Sequence, residues 1–163
     1  MTSTDPTDPV VPLRLVQISD PHLYADPNGA LLGLNTRTSL QRTLEAVQAR
    51  RWPADLMLVT GDLVHDGSTE GYLWLRNFLS DLQVPVHYLA GNHDNPENLH
   101  RTLNGSGVRV AECATHREWA LILLDSTIAG EDGGHLGEAT LAQLELSLEQ
   151  SRERYVLVCL HHN

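Results

Sequence analysis

Residues 56–66 read LMLVTGDLVHD, and the fold turns on how that run is taken. Leu56 to Thr60 carries no charge and no alternation of polar with apolar residues, so a strand built from it must be covered on both faces. Gly61 then lets the backbone turn sharply with no Cβ in the way, and Asp62 sets a carboxylate just past the strand. A strand of this kind belongs to an α/β protein, with helices packed over a largely parallel sheet.

Four other runs have the same mostly apolar character: Leu13 to Ser19 (LRLVQIS), Val86 to Ala90 (VHYLA), Trp119 to Leu124 (WALILL) and Tyr155 to Leu160 (YVLVCL). With 56–60 they are expected to form one central sheet. Between them apolar residues recur at helical spacing: Leu40, Leu44 and Val47, then Tyr72, Leu75, Leu79 and Leu82, and later Leu141, Leu144 and Leu148. Ser68 and Asn95 suit the N-cap position, and Pro96 follows Asn95 where the first helical residue would be. The order is β-α-β-α, with no internal repeat.

Composition narrows the partners. The chain of 163 residues has 11 basic and 21 acidic side chains, a formal charge of −10, which argues against a nucleic-acid or anionic-membrane surface because both need a basic footprint. The expected partner is a small molecule. Cys113 and Cys159 stand alone without CxxC spacing, which suits reduced thiols acting as small buried hydrophobes in a cytosol. Residues 1–12, rich in Thr, Asp and Pro, read as a disordered tail ahead of one domain over 13–163. No apolar run approaches the ~20 residues of a membrane span, and a cytoplasmic location is expected.

The chemistry lies just after the strands. Asp20-Pro21-His22 follows the first, Gly61-Asp62 the second, Gly91-Asn92-His93-Asp94 the third and His161-His162 the last. The carboxyl ends of strands in an open α/β sheet form the ligand crevice, so four polar clusters remote in sequence converge on one edge. Asp20 and His22 are two apart and can point the same way in an extended segment to chelate one ion. Asp62 has two oxygens and can bridge two cations, Asn92 offers a neutral carbonyl and His161 an imidazole. Nitrogen and oxygen donors without thiolate suit Mn, Fe or Zn.

These motifs, DPH, GDLVHD, GNHD and HH, resemble the successive motifs of the calcineurin-like metallophosphoesterases, over nearly the whole ordered chain. Ala30 to Thr36 (ALLGLNT) and Ile122 to Ser126 (ILLDS) resemble in particular the bacterial class III phosphodiesterases that hydrolyse 3′,5′-cyclic AMP. The resemblance implies a metallophosphoesterase-type α/β sandwich. It implies that Asp20 and His22 hold a first metal, that Asp62 bridges, and that Asn92 and His161 hold a second. His93 would meet the substrate phosphate beside His22, Asp62 and Asn92, assisting the leaving oxygen with Asp94 orienting its ring; catalysis would rest on His93 and Asp62. His162 is expected to touch no metal. The implied reaction is two-metal hydrolysis of a phosphodiester, foremost 3′,5′-cyclic AMP to 5′-AMP, with glycerophosphodiesters and similar esters as the alternative, and an inactive nucleotide-binding or regulatory fragment as a third reading.

The family pattern continues past HH to a distal GHxH whose two histidines bind one metal each. Here the chain reaches Asn163, and Gly134-His135-Leu136-Gly137 is the one near match, lacking the second histidine. The chain is therefore expected to be the front portion of a longer protein, binding one metal weakly and turning over slowly by itself. Among the remaining residues, His65 and Asp66 read as a solvated loop pair, His87 as a packed strand residue, and His100 and His116 as bystanders; Tyr24 and Asp26, close to the first motif, read as loop residues, with substrate contact as the alternative.

Overall fold

The computed structural model describes residues 12–51, 54–103, 108–110 and 113–162; apart from Pro12, the expected tail lies outside them. Strands β1 (Leu15–Ile18), β4 (Leu56–Thr60), β5 (Val86–Leu89) and β6 (Val108–Val110) form a parallel sheet in the order β1-β4-β5-β6. All of β4 is buried, and its side chains divide by the strand period of two. Met57 and Val59, with Val86 and Tyr88 of β5, pack beneath α1 (Thr36–Arg51), α2 (Thr69–Ser80) and α3 (Pro96–Leu103), meeting Leu44, Tyr72, Leu75 and Leu99. Leu56 and Leu58 face the other way, into a cluster with Leu89, Leu121 and Leu123.

That second cluster corrects the expectation of one central sheet. β7 (Cys113–His116), β8 (Trp119–Leu123) and β9 (Tyr155–Cys159) form a separate sheet, β8 antiparallel to β7 and parallel to β9. The helices α1 to α3 all contribute to the core on one face of the first sheet, so its opposite face needs another cover, and the second sheet supplies it. The result is the expected α/β sandwich. The crossover from β8 to β9 carries α4 (Glu138–Gln150), yet its leucines are not the inward stripe that their spacing suggests: Leu141, Leu146 and Leu148 are exposed while Ser147 is buried. Cys113 also departs from expectation, lying exposed on the edge strand β7 where alternate residues face outward, whereas Cys159 is half-buried against the inter-sheet core.

Side chains fix the helix starts. Ser68 Oγ accepts from Gly71 N at 3.2 Å and Asn95 Oδ1 from Asn98 N at 3.0 Å, as expected for N-caps. Asn35 does the same for α1, accepting from Thr38 N at 2.8 Å. It closes a small hairpin, β2 (Ala30–Leu31) and β3 (Leu34–Asn35), whose turn residues Leu32 and Gly33 have φ of 49° and 83°, the paired positive values of a type I′ turn. No helix among the described residues is long and apolar enough to cross a membrane.

Candidate metal centre

Parallel pairing continues past the ends of β1 and β4. Asp20 N donates to Gly61 O at 3.2 Å, His22 N to Asp62 O at 2.9 Å, and Leu23 N to Leu63 O at 3.0 Å, while Gly61 N donates to Leu89 O at 3.1 Å. The three loops thus run side by side. Asp20, His22 and Asp62 have φ of 55°, 43° and 52°, a left-handed conformation that costs non-glycine residues free energy and clusters at functional sites.

Asp62 sits at the middle with its side chain 6% exposed. His22 Nε2 lies 3.5 Å from Asp62 Oδ2 and His161 Nε2 lies 3.4 Å from Asp62 Oδ1, so each carboxylate oxygen faces its own imidazole. Asp20 Oδ1 is 3.9 Å from His22 Nε2 on the first side. Ser19 Oγ also touches the Asp20 carboxylate. On the other side Asn92 Oδ1 is 3.3 Å from His162 Nε2. Asp20, His22 and Asp62 present donor atoms close enough to share one cation. Burial holds the His22 ring below its ordinary pKa against the pull of Asp62, which favours the neutral form that ligates metals.

Glycine makes room for this arrangement. A Cβ on Gly61 would stand 2.2 Å from His161 Nδ1, and one on Gly91 would stand 2.2 Å from Asp62 Oδ1; Gly61 also has φ of 85°. His161 Nδ1 donates to Thr60 O at 3.0 Å, which leaves Nε2 as the nitrogen turned toward Asp62.

Asp94 does not orient His93. Its carboxylate accepts from Leu63 N and Val64 N after β4, from Gly91 N after β5, and from the Tyr72 hydroxyl at 2.8 Å. Burial pushes the Asp94 carboxyl up against the pull of those donors. It is a clasp between two loops, and adjacency in sequence to His93 said nothing about where its side chain goes. His93 instead donates its main-chain N–H to Asp62 Oδ1 at 3.0 Å, with its side chain exposed.

Sequence reasoning missed one contributor. His65 is not a solvated loop residue: its ring stacks on His93 with centroids 4.5 Å apart, its Nδ1 is 3.1 Å from His22 Nδ1, and Tyr24 closes a third side at 5.1 Å. The spacing of three from Asp62 in GDLVHD was the available signal. His162 lies beside Asn92 and bonds to Ser126 Oγ through Nδ1 at 2.8 Å. The near match Gly134-His135 meets it through main chain alone, since a Cβ on Gly134 would strike the His162 ring and His135 N donates to Ser126 O while His135 itself is exposed. Asp66 ties the two first loops by accepting from Ala25 N at 2.9 Å and Ser68 Oγ at 2.6 Å. Asp26 serves a turn, accepting from Asn28 N. His87 is half-buried in β5, His116 half-buried at the end of β7, and His100 exposed on α3.

The chain is 36% identical over 162 residues to the 3′,5′-cyclic adenosine monophosphate phosphodiesterase CpdA of Pseudomonas aeruginosa, covering 99% of this chain and 58% of that protein. It is 38% identical over 152 residues to the protein of the same name from Haemophilus influenzae, covering 93% and 56%. It thus spans little more than half the length of these curated relatives. The crystal structure of TT1561 of Thermus thermophilus shares its fold with a TM-score of 0.60 at 17% identity, over 90% of this chain and 67% of that one. The family model for calcineurin-like phosphoesterases matches residues 13–162, taking in every strand-end cluster described above, and the chain belongs to that family.

Proposed function

We propose that the protein is a metal-dependent phosphodiesterase whose preferred substrate is 3′,5′-cyclic AMP, cleaved to 5′-AMP. One observation carries the reading: a nearly buried carboxylate, Asp62, with an imidazole Nε2 facing each of its oxygens at 3.5 and 3.4 Å. The donor set fits two cations of the Mn, Fe or Zn kind, with nitrogen and oxygen ligands and no thiolate. Asp20, His22 and Asp62 would hold one ion, and Asp62, Asn92 and His161 the other. Bound there, such ions neutralise phosphate charge and make water nucleophilic at neutral pH.

The residues of the chain do the rest. His93 stands exposed at the edge of a cleft of about 590 Å³ whose lining includes His65, Asn92, Thr127 and Ile128. In this reading its imidazole meets the phosphate and delivers a proton to the departing 3′ oxygen as a general acid. Its main-chain bond to Asp62 ties its place to that of the bridge. The net negative charge is no obstacle, because local cations outweigh a diffuse charge screened within ~8–10 Å.

The names of the two CpdA relatives support cyclic AMP as the substrate, while the exposed Ala129 and Gly130 in the cleft lining favour a second reading, a broader range of small phosphodiesters. The test is a panel of cyclic AMP, 2′,3′-cyclic nucleotides and glycerophosphodiesters, assayed on the complete protein with manganese, iron or zinc, wild type beside Asp62→Ala. Cyclic AMP should be hydrolysed fastest, and only by the wild type. Turnover undiminished in the variant would rule out a bridge at Asp62; preference for another ester would transfer the assignment to that class.

A further inference from the structure

The two histidines that flank Asp62 need their second ring nitrogens held, since a ligating imidazole keeps its geometry and tautomer through the bond its other nitrogen makes. For His161 that partner is the Thr60 carbonyl, at 3.0 Å from Nδ1. At His22 the place is taken by another imidazole: His65 Nδ1 lies 3.1 Å from His22 Nδ1. With His22 Nε2 turned toward Asp62 and Asp20, the proton between the two rings belongs on His22 Nδ1, and His65 accepts it.

His65 is built into this position. Leu23 and Val64 are wholly buried and bridge the two loops, and His65 N donates to Leu23 O at 2.8 Å. Its ring is enclosed by His22 edge-on at 5.1 Å, by Tyr24, and by the stacked face of His93 at 24°. A solvated histidine would satisfy none of these constraints.

We infer that His65 is a positioning residue of the metal centre, accepting the His22 Nδ1 proton so that His22 Nε2 points into the first metal site, and bracing the His93 ring from below. This rests on the reading of the strand-end cluster as a metal centre. Losing such an outer partner costs ~10–100-fold in metal affinity, and the loss should fall on one of the two ions.

Two variants separate the contributions. His65→Phe keeps a ring to stack on His93 but removes the acceptor; His65→Gln restores a carbonyl acceptor without the ring. Each, in the complete protein, would be titrated calorimetrically with manganese and examined by nitrogen NMR of the His22 side chain. The expected result is ~10–100-fold weaker binding at one site in His65→Phe, unchanged binding at the other, loss of the single His22 tautomer, and recovery of affinity and tautomer in His65→Gln. A His65→Phe protein with both affinities and the His22 tautomer of wild type would overturn the inference. Should wild type itself take up no manganese, iron or zinc, the metal-centre reading fails and this role with it, an outcome visible in the wild-type titration alone. Circular dichroism on both variants distinguishes a misfolded chain from a displaced ligand, with His65→Gln deciding the matter if His65→Phe does not fold.

Discussion

The two sides of Asp62 are held by different means. On the first side the ligand candidates Asp20 and His22 adopt left-handed backbone conformations, the Asp20 side chain is 49% exposed, and the His22 ring leans on another side chain. On the second side neither Asn92 nor His161 has a positive φ, the His161 side chain is 10% exposed, and its ring is fixed by a main-chain carbonyl in space left by Gly61 and Gly91. A carbonyl at the end of β4 comes with the fold. A histidine three residues past the bridge is a choice of sequence. The second side is therefore determined by the sheet itself, whereas the first depends on loop residues that substitution can retune without disturbing the strands.

The largest expected effects break the sides one at a time. His22→Ala and His161→Ala should each remove binding of one manganese ion and leave the other measurable, while turnover falls in both by more than the ~10–100-fold of an outer-shell loss. A calorimetric titration that lost both ions in either variant would mean that the sides are not separable. Gly61→Ala is the milder form of the same cut. It forces alanine into a left-handed conformation, at about 1–2 kcal/mol, and its Cβ would push the His161 ring, so weakened binding should appear on the second side only.

Asp94→Ala should act on both sides together, because its carboxylate clasps the loop after β4 to the loop after β5. Each buried donor left without its acceptor costs about 1–3 kcal/mol, and Leu63, Val64, Gly91 and Tyr72 all donate to it. Urea denaturation should show a stability loss well beyond that of Gly61→Ala. A loss no larger than for a surface substitution would refute the clasp.

The smallest effect belongs to the first side alone. Partial burial pushes the Asp66 carboxyl up, but bonds from Ser68 and Ala25 outweigh it and hold it below the ordinary 3.8. A depressed folded pKa contributes stability that is present above the unfolded value and lost as pH falls through the folded one. The stability difference between wild type and Asp66→Asn should thus be greatest above pH 3.8 and shrink toward zero below it. A difference that grew on acidification would reverse the assignment.

Much of this was legible in the chain. Apolar runs that stop abruptly at DPH, GD, GNHD and HH announce strands ending in donors, although only β4 is buried throughout while β1 and β9 are partly exposed; the ends of β1, β4 and β5 converge because the three are neighbours in one parallel sheet, whereas HH arrives from β9 of the second sheet. What stayed hidden depends on partners remote in sequence. An all-apolar strand such as β4 declares that both faces are covered, not that a second sheet covers one of them. The leucines of α4 recur at helical spacing without recording which side the rest of the molecule takes. His65 meets His22 across 43 residues, a contact made only when the loops after β1 and β4 lie in register. Asp94 adjoins His93, but its side chain follows the main-chain donors around it.

Whether one carboxylate joins two metal sites can be read from electron paramagnetic resonance of the manganese-loaded complete protein. A shared Asp62 predicts the spectrum of a spin-coupled manganese pair, replaced by an isolated-ion signal in His22→Ala and in His161→Ala. An isolated-ion spectrum from the fully loaded wild type would exclude a bridge at Asp62.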